Sequence, residues 1–398
     1  MPAGAPEVSA PTARVRLDPA LRLRLGVLAG GNFAVGTGAF VIVGVLPAVA
    51  RDVGVGVGTA GQLMTVYALT YAVAAPLLVS VLGRFRRRTV LLAALAVFLA
   101  GNVLALLAPG FALLAAGRLV SAVGGAMYTP TSLAAAASLA AEAQRGRALA
   151  LAFSGLPVAT VLGVPLGTVV GEALGWRWSF GLVVALAAAG AVAVAAAVRR
   201  IEDPPLFPLR AWRALLARRG LVPAVAVTWL QATAQFTVIT YLAALLAGEV
   251  GLGGTAIAAL LLVNGVAGVA GTALGGSVAD RWPAGPTLAA SIVLLAAALA
   301  TFGVVADPVT AAVALVVWGV AGWGFNPVQQ QRLVRLHPPS AGATLALNAS
   351  VLYLGSATGA VLGAAVLPVA GLPGVGPTGA VMAMIALAVL AWGRRPNG

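Results

Sequence analysis

The residues of this chain that could carry chemistry are few. Its 398 residues include one histidine, His337 beside Pro338, no cysteine, and ten acids. The acids are Glu7, Asp18, Asp52, Glu142, Glu172, Glu202, Asp203, Glu249, Asp280 and Asp307. Absence of cysteine removes disulfides, thiolate metal sites and thiol nucleophiles, and we expect neither a metal nor a cofactor. All 24 basic residues are arginine, so a GxxxxGK[ST] phosphate-binding loop, which requires lysine, cannot form. No HExxH or GxSxG pattern supplies a hydrolytic centre, which argues against an enzyme. One charge is out of place. Arg118 stands alone in Ala112–Pro130, ALLAAGRLVSAVGGAMYTP, among small and apolar residues.

The elements around it explain why that is unusual. The chain is 61% hydrophobic and only 9% charged, with mean hydropathy +1.02. A soluble chain carries about 25% charge, so this one cannot clothe a water-facing surface and belongs in a bilayer. Apolar runs fall at roughly 25–50, 60–82, 89–108, 111–135, 148–170, 178–198, 221–247, 255–279, 286–306, 309–330, 342–368 and 376–393. A hydrocarbon core about 30 Å thick needs about 20 helical residues, and nearly all twelve runs suffice; the twelfth is short. The expected fold is an all-α membrane protein of twelve transmembrane helices.

Charge fixes the orientation. With the N-terminus inside, 21 arginines fall on the cytoplasmic side, against Arg51 and Arg177 outside and Arg118 within a span. The positive-inside rule then places both termini in the cytoplasm. The net charge of +14 is therefore a topology signal rather than a nucleic-acid footprint. Residues 1–24 read as a cytoplasmic tail, 25–198 as a first six-helix half, 199–220 as a central cytoplasmic loop, 221–393 as a second half, and 394–398 as a short tail. Landmarks recur between the halves: Gly163 and Gly167 lie 196 positions before Gly359 and Gly363, and Arg84 lies 197 before Arg281. Two such halves would place a binding site between them near the midplane, with access alternating by rocking.

Polar residues inside spans are candidates for that site. Thr228, Gln231 and Gln235 share one face of span seven. Asn32, Asn264, Asn326 and Asn348 lie in other spans, and Tyr128, Trp229 and Tyr353 add amphipathic rings. An in-membrane Asn or Gln is also commonly interhelical glue worth about 0.6 kcal/mol. Together they suggest an uncharged, hydrogen-bonding cavity with aromatic walls, suited to a neutral or weakly amphipathic small molecule.

Three motifs extend the reading. Gly155, Gly163, Pro165, Gly167 and Gly171 punctuate span five; Gly163 and Gly167 share a face that permits close helix approach, and Pro165 can kink the span. Gly276-Ser-Val-Ala-Asp280-Arg281 fits G-x-x-x-D-R after span eight, while its first-half counterpart Val79–Arg88 keeps Arg84 but has Gly83 for the acid. Arg118 lies about 10 Å inside the outer end of span four, counted at 1.5 Å per residue. With Gly124-Gly125-Ala126 after it, this set resembles the major facilitator superfamily. It is most similar to twelve-span drug:proton antiporters of the arabinose-, purine- and chloramphenicol-efflux group, over essentially the whole chain after residue 25.

That resemblance implies two pseudo-symmetric six-helix halves and secondary export. It implies an antiporter motif at Gly155–Gly171 and a cytoplasmic latch at Arg84, Gly276, Asp280 and Arg281. Ordinary glycine packing and positive-inside anchoring are the plain alternatives. Many relatives carry an acid in span one, where this chain reads Gly36-Thr37-Gly38-Ala39-Phe40. Here no acid lies mid-span, and Glu172 at the outer end of span five is the nearest substitute for coupling, or a plain interfacial acid. Arg118 either faces a cavity, with Glu172, carbonyls near Pro165 or substrate as partner, or snorkels outward. The expected partners are a small-molecule substrate, protons and the lipid of an inner membrane, with the chain acting as a monomer. A facilitator or uptake permease on the same scaffold is the alternative.

The topology is open to direct test, since introduced cysteines meet no background thiol. Cysteines at Gly56 and Gly253 should react with an impermeant reagent from outside, and cysteines at Ala143 and Gly342 should not; reversed labelling would refute the charge argument.

Overall fold

A computed structural model describes residues 18–82, 84–141, 144–198, 220–279, 281–336 and 341–393. Among the described residues, twelve helices are long and apolar enough to cross a membrane. The first six are α1 (Pro19–Val53), α2 (Val57–Leu82), α3 (Arg87–Leu106), α4 (Phe111–Leu139), α5 (Arg145–Leu174) and α6 (Trp176–Ala197). The second six are α7 (Leu221–Glu249), α8 (Gly254–Ala279), α9 (Ala284–Thr301), α10 (Pro308–Leu336), α11 (Ala341–Ala370) and α12 (Val375–Trp392). An even number of crossings puts both chain ends on one face of the bundle, called here the terminal face. Residues 1–17, 199–219 and 394–398, which carry most of the expected tails and central loop, lie outside the described residues.

Helices outrun the apolar stretches where caps or polar turns extend them. Helix α1 begins at Pro19, six residues before the expected start, because the Asp18 side chain accepts from the Leu21 N–H and proline suits the first turn. It stops at Gly54, whose φ of 72° is the left-handed cap that favours glycine. Helix α10 starts at the Asp307 cap, whose carboxylate accepts from the Thr310 hydroxyl at 2.6 Å and from the Val309 and Thr310 N–H groups. Those bonds, the Thr310 hydroxyl foremost, hold its carboxyl below the usual carboxylate range. The same helix runs on to Leu336, past the apolar stretch.

Lipid offers no hydrophobic drive between helices, so their approach depends on shape. The four-residue spacing of small groups in α5 shows how. A Cβ on Gly155 would meet the backbone of Ala29 and Phe33, and one on Gly163 the Thr37 hydroxyl. One on Gly167 would meet Val41, and one on Gly171 would sit 2.7 Å from Val45 Cγ1. Ala159, with the smallest side chain, fills the remaining step against Gly36. Thus α5 lies along α1 as a ladder with a rung every four residues.

The second half repeats the ladder. Gly355 packs on the Trp229 carbonyl, Gly359 on the backbone of Thr233 and Thr237, and Gly363 on Tyr241. Thr37 with Gly163 corresponds to Thr233 with Gly359, both members 196 positions on. The correspondence extends to hydrogen bonds: Thr37 donates to the Phe33 carbonyl and Thr233 to that of Trp229, each at 2.8 Å. Asn32 donates to the Ala152 carbonyl, and 196 positions further Thr228 donates to Asn348. The two pseudo-symmetric halves are visible side chain by side chain.

The halves meet along three lines. Helix α2 packs on α11, α5 on α8, and α1 on α7, chiefly the part after its break at Thr240–Tyr241, with a smaller contact of α1 on α8. Two spans also widen into π-turns, Ala159–Gly163 in α5 and Gly319–Trp323 in α10. Each precedes a proline, Pro165 or Pro327, whose missing N–H and bulky ring disrupt the regular ladder of helix bonds.

The ladder predicts an asymmetric response to alanine. Gly163→Ala should lower stability by about 1–3 kcal/mol, as overpacking does, whereas Gly146→Ala, with open space around it, should be neutral or stabilising. Thermal unfolding of the purified protein in detergent measures both.

Candidate functional site

Arg118 is 0% exposed, which rules out snorkelling. Its side chain turns from α4 into the first half and spans two neighbours. The guanidinium donates to the carbonyls of Gly38 and, at 2.7 Å, Ala39 on α1, and its Nε reaches the Leu63 carbonyl of α2 at 3.5 Å. It also lies over the Tyr67 ring, 4.3 Å from the centroid. The partners suggested by sequence are thereby corrected: neither Glu172 nor carbonyls near Pro165 receive it. The planar fork instead grips adjacent carbonyls of α1. A guanidinium suits this arrangement because several donors diverge from one rigid plane.

From Arg118 an aromatic line runs to the other half. Tyr67 lies 6.5 Å from Tyr71 between ring centroids, and Tyr71 stacks on Tyr353 of α11 at 3.8 Å. A second contact joins the halves beside it. Phe40 of α1 stacks on Phe236 of α7 at 5.9 Å, and these two are themselves 196 positions apart. Beside that pair is a cavity of about 40 Å³ lined by both halves: Phe40, Thr160 and Val164 from one, Phe236, Asn264 and Trp323 from the other. Pockets for drug-sized ligands measure about 300–1,000 Å³, so the halves must part to admit one.

Most of the polar residues singled out in sequence are engaged within their own half. Asn32 donates to Ser132 and to the Ala152 carbonyl, and Tyr128 to the Leu28 carbonyl. Asn348 accepts from Thr228, and Trp229 donates to Thr358. Asn326 is half-buried on α10. Gln231 and Gln235 serve the π-turn of α10. Gln231 donates to the Gly322 carbonyl at 3.1 Å, Gln235 accepts from the Trp318 indole at 2.7 Å, and Ser291 of α9 takes the Ala321 carbonyl at 2.7 Å. A π-turn loosens its carbonyls, and in a membrane neighbouring side chains must take them up. Asn264, which donates to the Leu315 carbonyl, also lines the cavity, and Tyr353 stands at the contact between halves.

Glu172 is not among the partners of Arg118. At the end of α5 away from the terminal face, it accepts from the Thr255 hydroxyl of α8 at 2.7 Å, a bond between the two halves. Nearby, Asp52 pairs with Arg177 at 2.6 Å and accepts from the Trp176 indole, binding α1 to α6 within the first half.

On the terminal face, Asp280 and Gly83 lie outside the described residues. Gly276 faces open space, Arg84 lies over Phe85, and Arg281 follows α8. Arg87 donates to the Ala134 carbonyl and the Ser138 hydroxyl near the end of α4, and Arg88 to the Ala195 carbonyl at the end of α6. Cations at helix C-termini are favourable there.

Comparison with known proteins agrees with this architecture. The sequence profile of the Major Facilitator Superfamily matches residues 28–360. The chain belongs to the major facilitator superfamily. It is 30% identical to the uncharacterized MFS-type transporter YbcL of Bacillus subtilis, over 92% of this chain and 94% of that protein. The chloramphenicol resistance protein of Streptomyces lividans is 33% identical, over 87% of this chain and 89% of its own. A bacterial homologue of the lysosomal transporter Spinster, solved inward-facing and unoccupied, superposes with a TM-score of 0.74 at 17% identity, covering 96% of this chain and 98% of that one. The chain is therefore a membrane transporter of this superfamily and not an enzyme.

For a superfamily transporter the contacts missed in sequence are those between its halves. Phe40 with Phe236 was signalled by the internal offset. Tyr71 with Tyr353 and Glu172 with Thr255 join residues with no such relation and carried no sequence signal.

The role of Gln231 in holding α10 can be measured. Gln231→Leu should cost about 0.6–1.7 kcal/mol, the span found for interhelical hydrogen bonds in membranes, in unfolding of the detergent-solubilised protein. An unchanged stability would show that the Gly322 carbonyl needs no partner.

Proposed function

We propose that this transporter exports a small neutral or weakly amphipathic molecule across a bacterial inner membrane by proton antiport, as a monomer with both termini cytoplasmic. The observation that carries the substrate reading is the lining between the halves. It is aromatic and aliphatic with Thr160 and Asn264, and contains no charged side chain. No acid of the sequence lies mid-span, so nothing there attracts a cation, and the buried charge of Arg118 disfavours one. Two relatives are named for chloramphenicol, the resistance protein of Streptomyces lividans and an efflux pump of Mycobacterium tuberculosis, which supports an export direction and an uncharged drug of that kind.

In this reading Arg118 and Glu172 carry the coupling. Arg118 ties α4 to α1 and α2, and the tyrosine line passes its position to α11. Gly155, Gly163, Pro165, Gly167 and Gly171 supply the close α1–α5 packing. Arg84, Gly276, Asp280 and Arg281 form the cytoplasmic latch. Substrate meets Phe40, Phe236, Asn264 and Tyr353 at the seam, while Asn32, Tyr128, Trp229, Gln231, Gln235, Asn326 and Asn348 shape the helices behind it. Facilitated diffusion is the second reading, favoured by the missing mid-span acid.

Accumulation of radiolabelled chloramphenicol by cells expressing the chain, with and without a protonophore, separates the two. Antiport predicts exclusion that collapses with protonophore; equilibration unaffected by it would establish a facilitator. Arg118→Gln and Arg118→Ala should abolish export while protein still reaches the membrane, and Arg118→Lys should be poor, because an ammonium lacks the fork that spans two carbonyls. Normal export by the Gln variant across external pH would make the arginine structural only.

A further inference from the structure

On the face away from the termini, the two halves meet at two seams that the internal repeat relates. At one, α5 meets the start of α8. Thr255 donates to Glu172, and the Glu172 carboxyl carbon lies so close over Gly254 that a Cβ there would come within 2.7 Å of it. At the other, the start of α2 meets α11: a Cβ on Gly58 would sit 3.7 Å from that of Ala364 and 3.5 Å from Leu367. Gly58 and Thr59 lie 196 positions before Gly254 and Thr255, so both seams use the same small, hydroxyl-bearing helix start. The counterpart of Glu172, 196 positions on, is Pro368. One seam has a carboxylate and the other has none.

The first N–H groups of a helix have no partner within it, and that end carries partial positive charge. Glu172 of the first half lies over such an end of a helix of the second, bonded there through the Thr255 hydroxyl. Among the described acids, Asp18 and Asp307 cap their own helices and Asp52 pairs within the first half. We propose that Glu172 is the proton-binding site that operates the gate on this face. Ionised, it holds the start of α8 through Thr255 and the helix-end charge and keeps the seam together; protonated, it loses the charge that the helix end attracts, and the seam opens.

The inference rests on the reading of the chain as an alternating-access antiporter, and gives that antiport a residue on the side from which protons arrive. Glu172 is exposed, so it exchanges protons with the bath. The other charged groups at this end of the helices around it are Arg51 and Asp52 of α1, Arg177 of α6 and Glu249 of α7, with Asp52 and Arg177 occupied by each other. Helix α8 brings no titratable group from Gly254 to Ala279. The sign follows: the hold on α8 is present at higher external pH and is lost as pH falls.

The apolar seam supplies the reporter. The chain has no native cysteine, and Gly58→Cys with Ala364→Cys would place Cβ atoms within the range of about 3.5–4.5 Å that a disulfide needs. Oxidative cross-linking of this pair in right-side-out vesicles reads closure without any substrate. The rate is compared with and without Glu172→Gln at each external pH, so that the thiols' own ionisation cancels in the ratio. At high pH Glu172→Gln should cross-link about three- to fivefold more slowly, in keeping with the modest strength of a charge at a helix end. The ratio should approach one at low pH, where the parent is protonated too. Thr255→Val and Gly254→Ala, which remove the donor and push the carboxyl away, should slow it in the same direction at high pH. A ratio of one at every pH would make Glu172 a plain interfacial acid, and a slowing independent of pH would overturn proton control. Chloramphenicol exclusion by the uncross-linked protein tests the transport reading separately, and its failure leaves the ratio unaffected.

Discussion

Helices in a bilayer are not pushed together by water, and everything else in this structure depends on how α1 and α5 come to touch. Glycine at four-residue intervals lets α5 lie against the backbone of α1, and the same device sets α11 against α7. Once these pairs are in contact, small hydrogen bonds become geometrically possible: Asn32 to Ala152 in one half and Thr228 to Asn348 in the other. The ladder also fixes which faces of α1 and α7 remain for the partner half. Phe40 and Phe236 emerge there opposite each other. Halves that are each packed as a unit and meet along separate seams are the arrangement that rocking motion requires.

The second constraint is electrostatic. A buried arginine needs its donors satisfied and ordinarily a counter-charge, yet no acid lies mid-span in this sequence. Main-chain carbonyls of Gly38, Ala39 and Leu63 and the face of Tyr67 supply the negative potential instead. Carbonyl dipoles and a ring quadrupole do not titrate, so the arginine is a fixed element that carries position rather than protons. Its line through Tyr67 and Tyr71 to Tyr353 gives that position a physical route into the second half. The only described acid bonded across the halves lies elsewhere, at Glu172.

How much of this was legible in the sequence follows from the range of each interaction. Hydropathy gave twelve spans because lipid imposes length and composition on every helix independently. Helix ends shifted where caps such as Asp18 and Asp307 act beyond the apolar run. Repetition at 196 positions was readable from glycines and reached further than those glycines, to Thr37 with Thr233 and Phe40 with Phe236. Gln231 and Gln235 looked like ligand contacts because a π-turn in α10, ninety residues away, leaves no mark on span seven. The partners of Arg118 were invisible for a related reason: every residue has a carbonyl, so a site built from carbonyls has no composition. Glu172 was legible as an acid at a span end, but the Thr255 hydroxyl it accepts from belongs to the other half.

The central claim is that each half moves as one body held by its glycine ladder, while the seam between them yields. Distances between paired spin labels on the face away from the termini address it directly. Labels at Gly56 and Gly253 report across the halves, Gly56 with Leu107 within the first, and Gly253 with Val304 within the second. Between high and low pH, the Gly56–Gly253 distribution should shift to longer distances while both internal pairs stay fixed. Internal distances that change as much as the cross-half one, or a cross-half distance that never moves, would contradict the account.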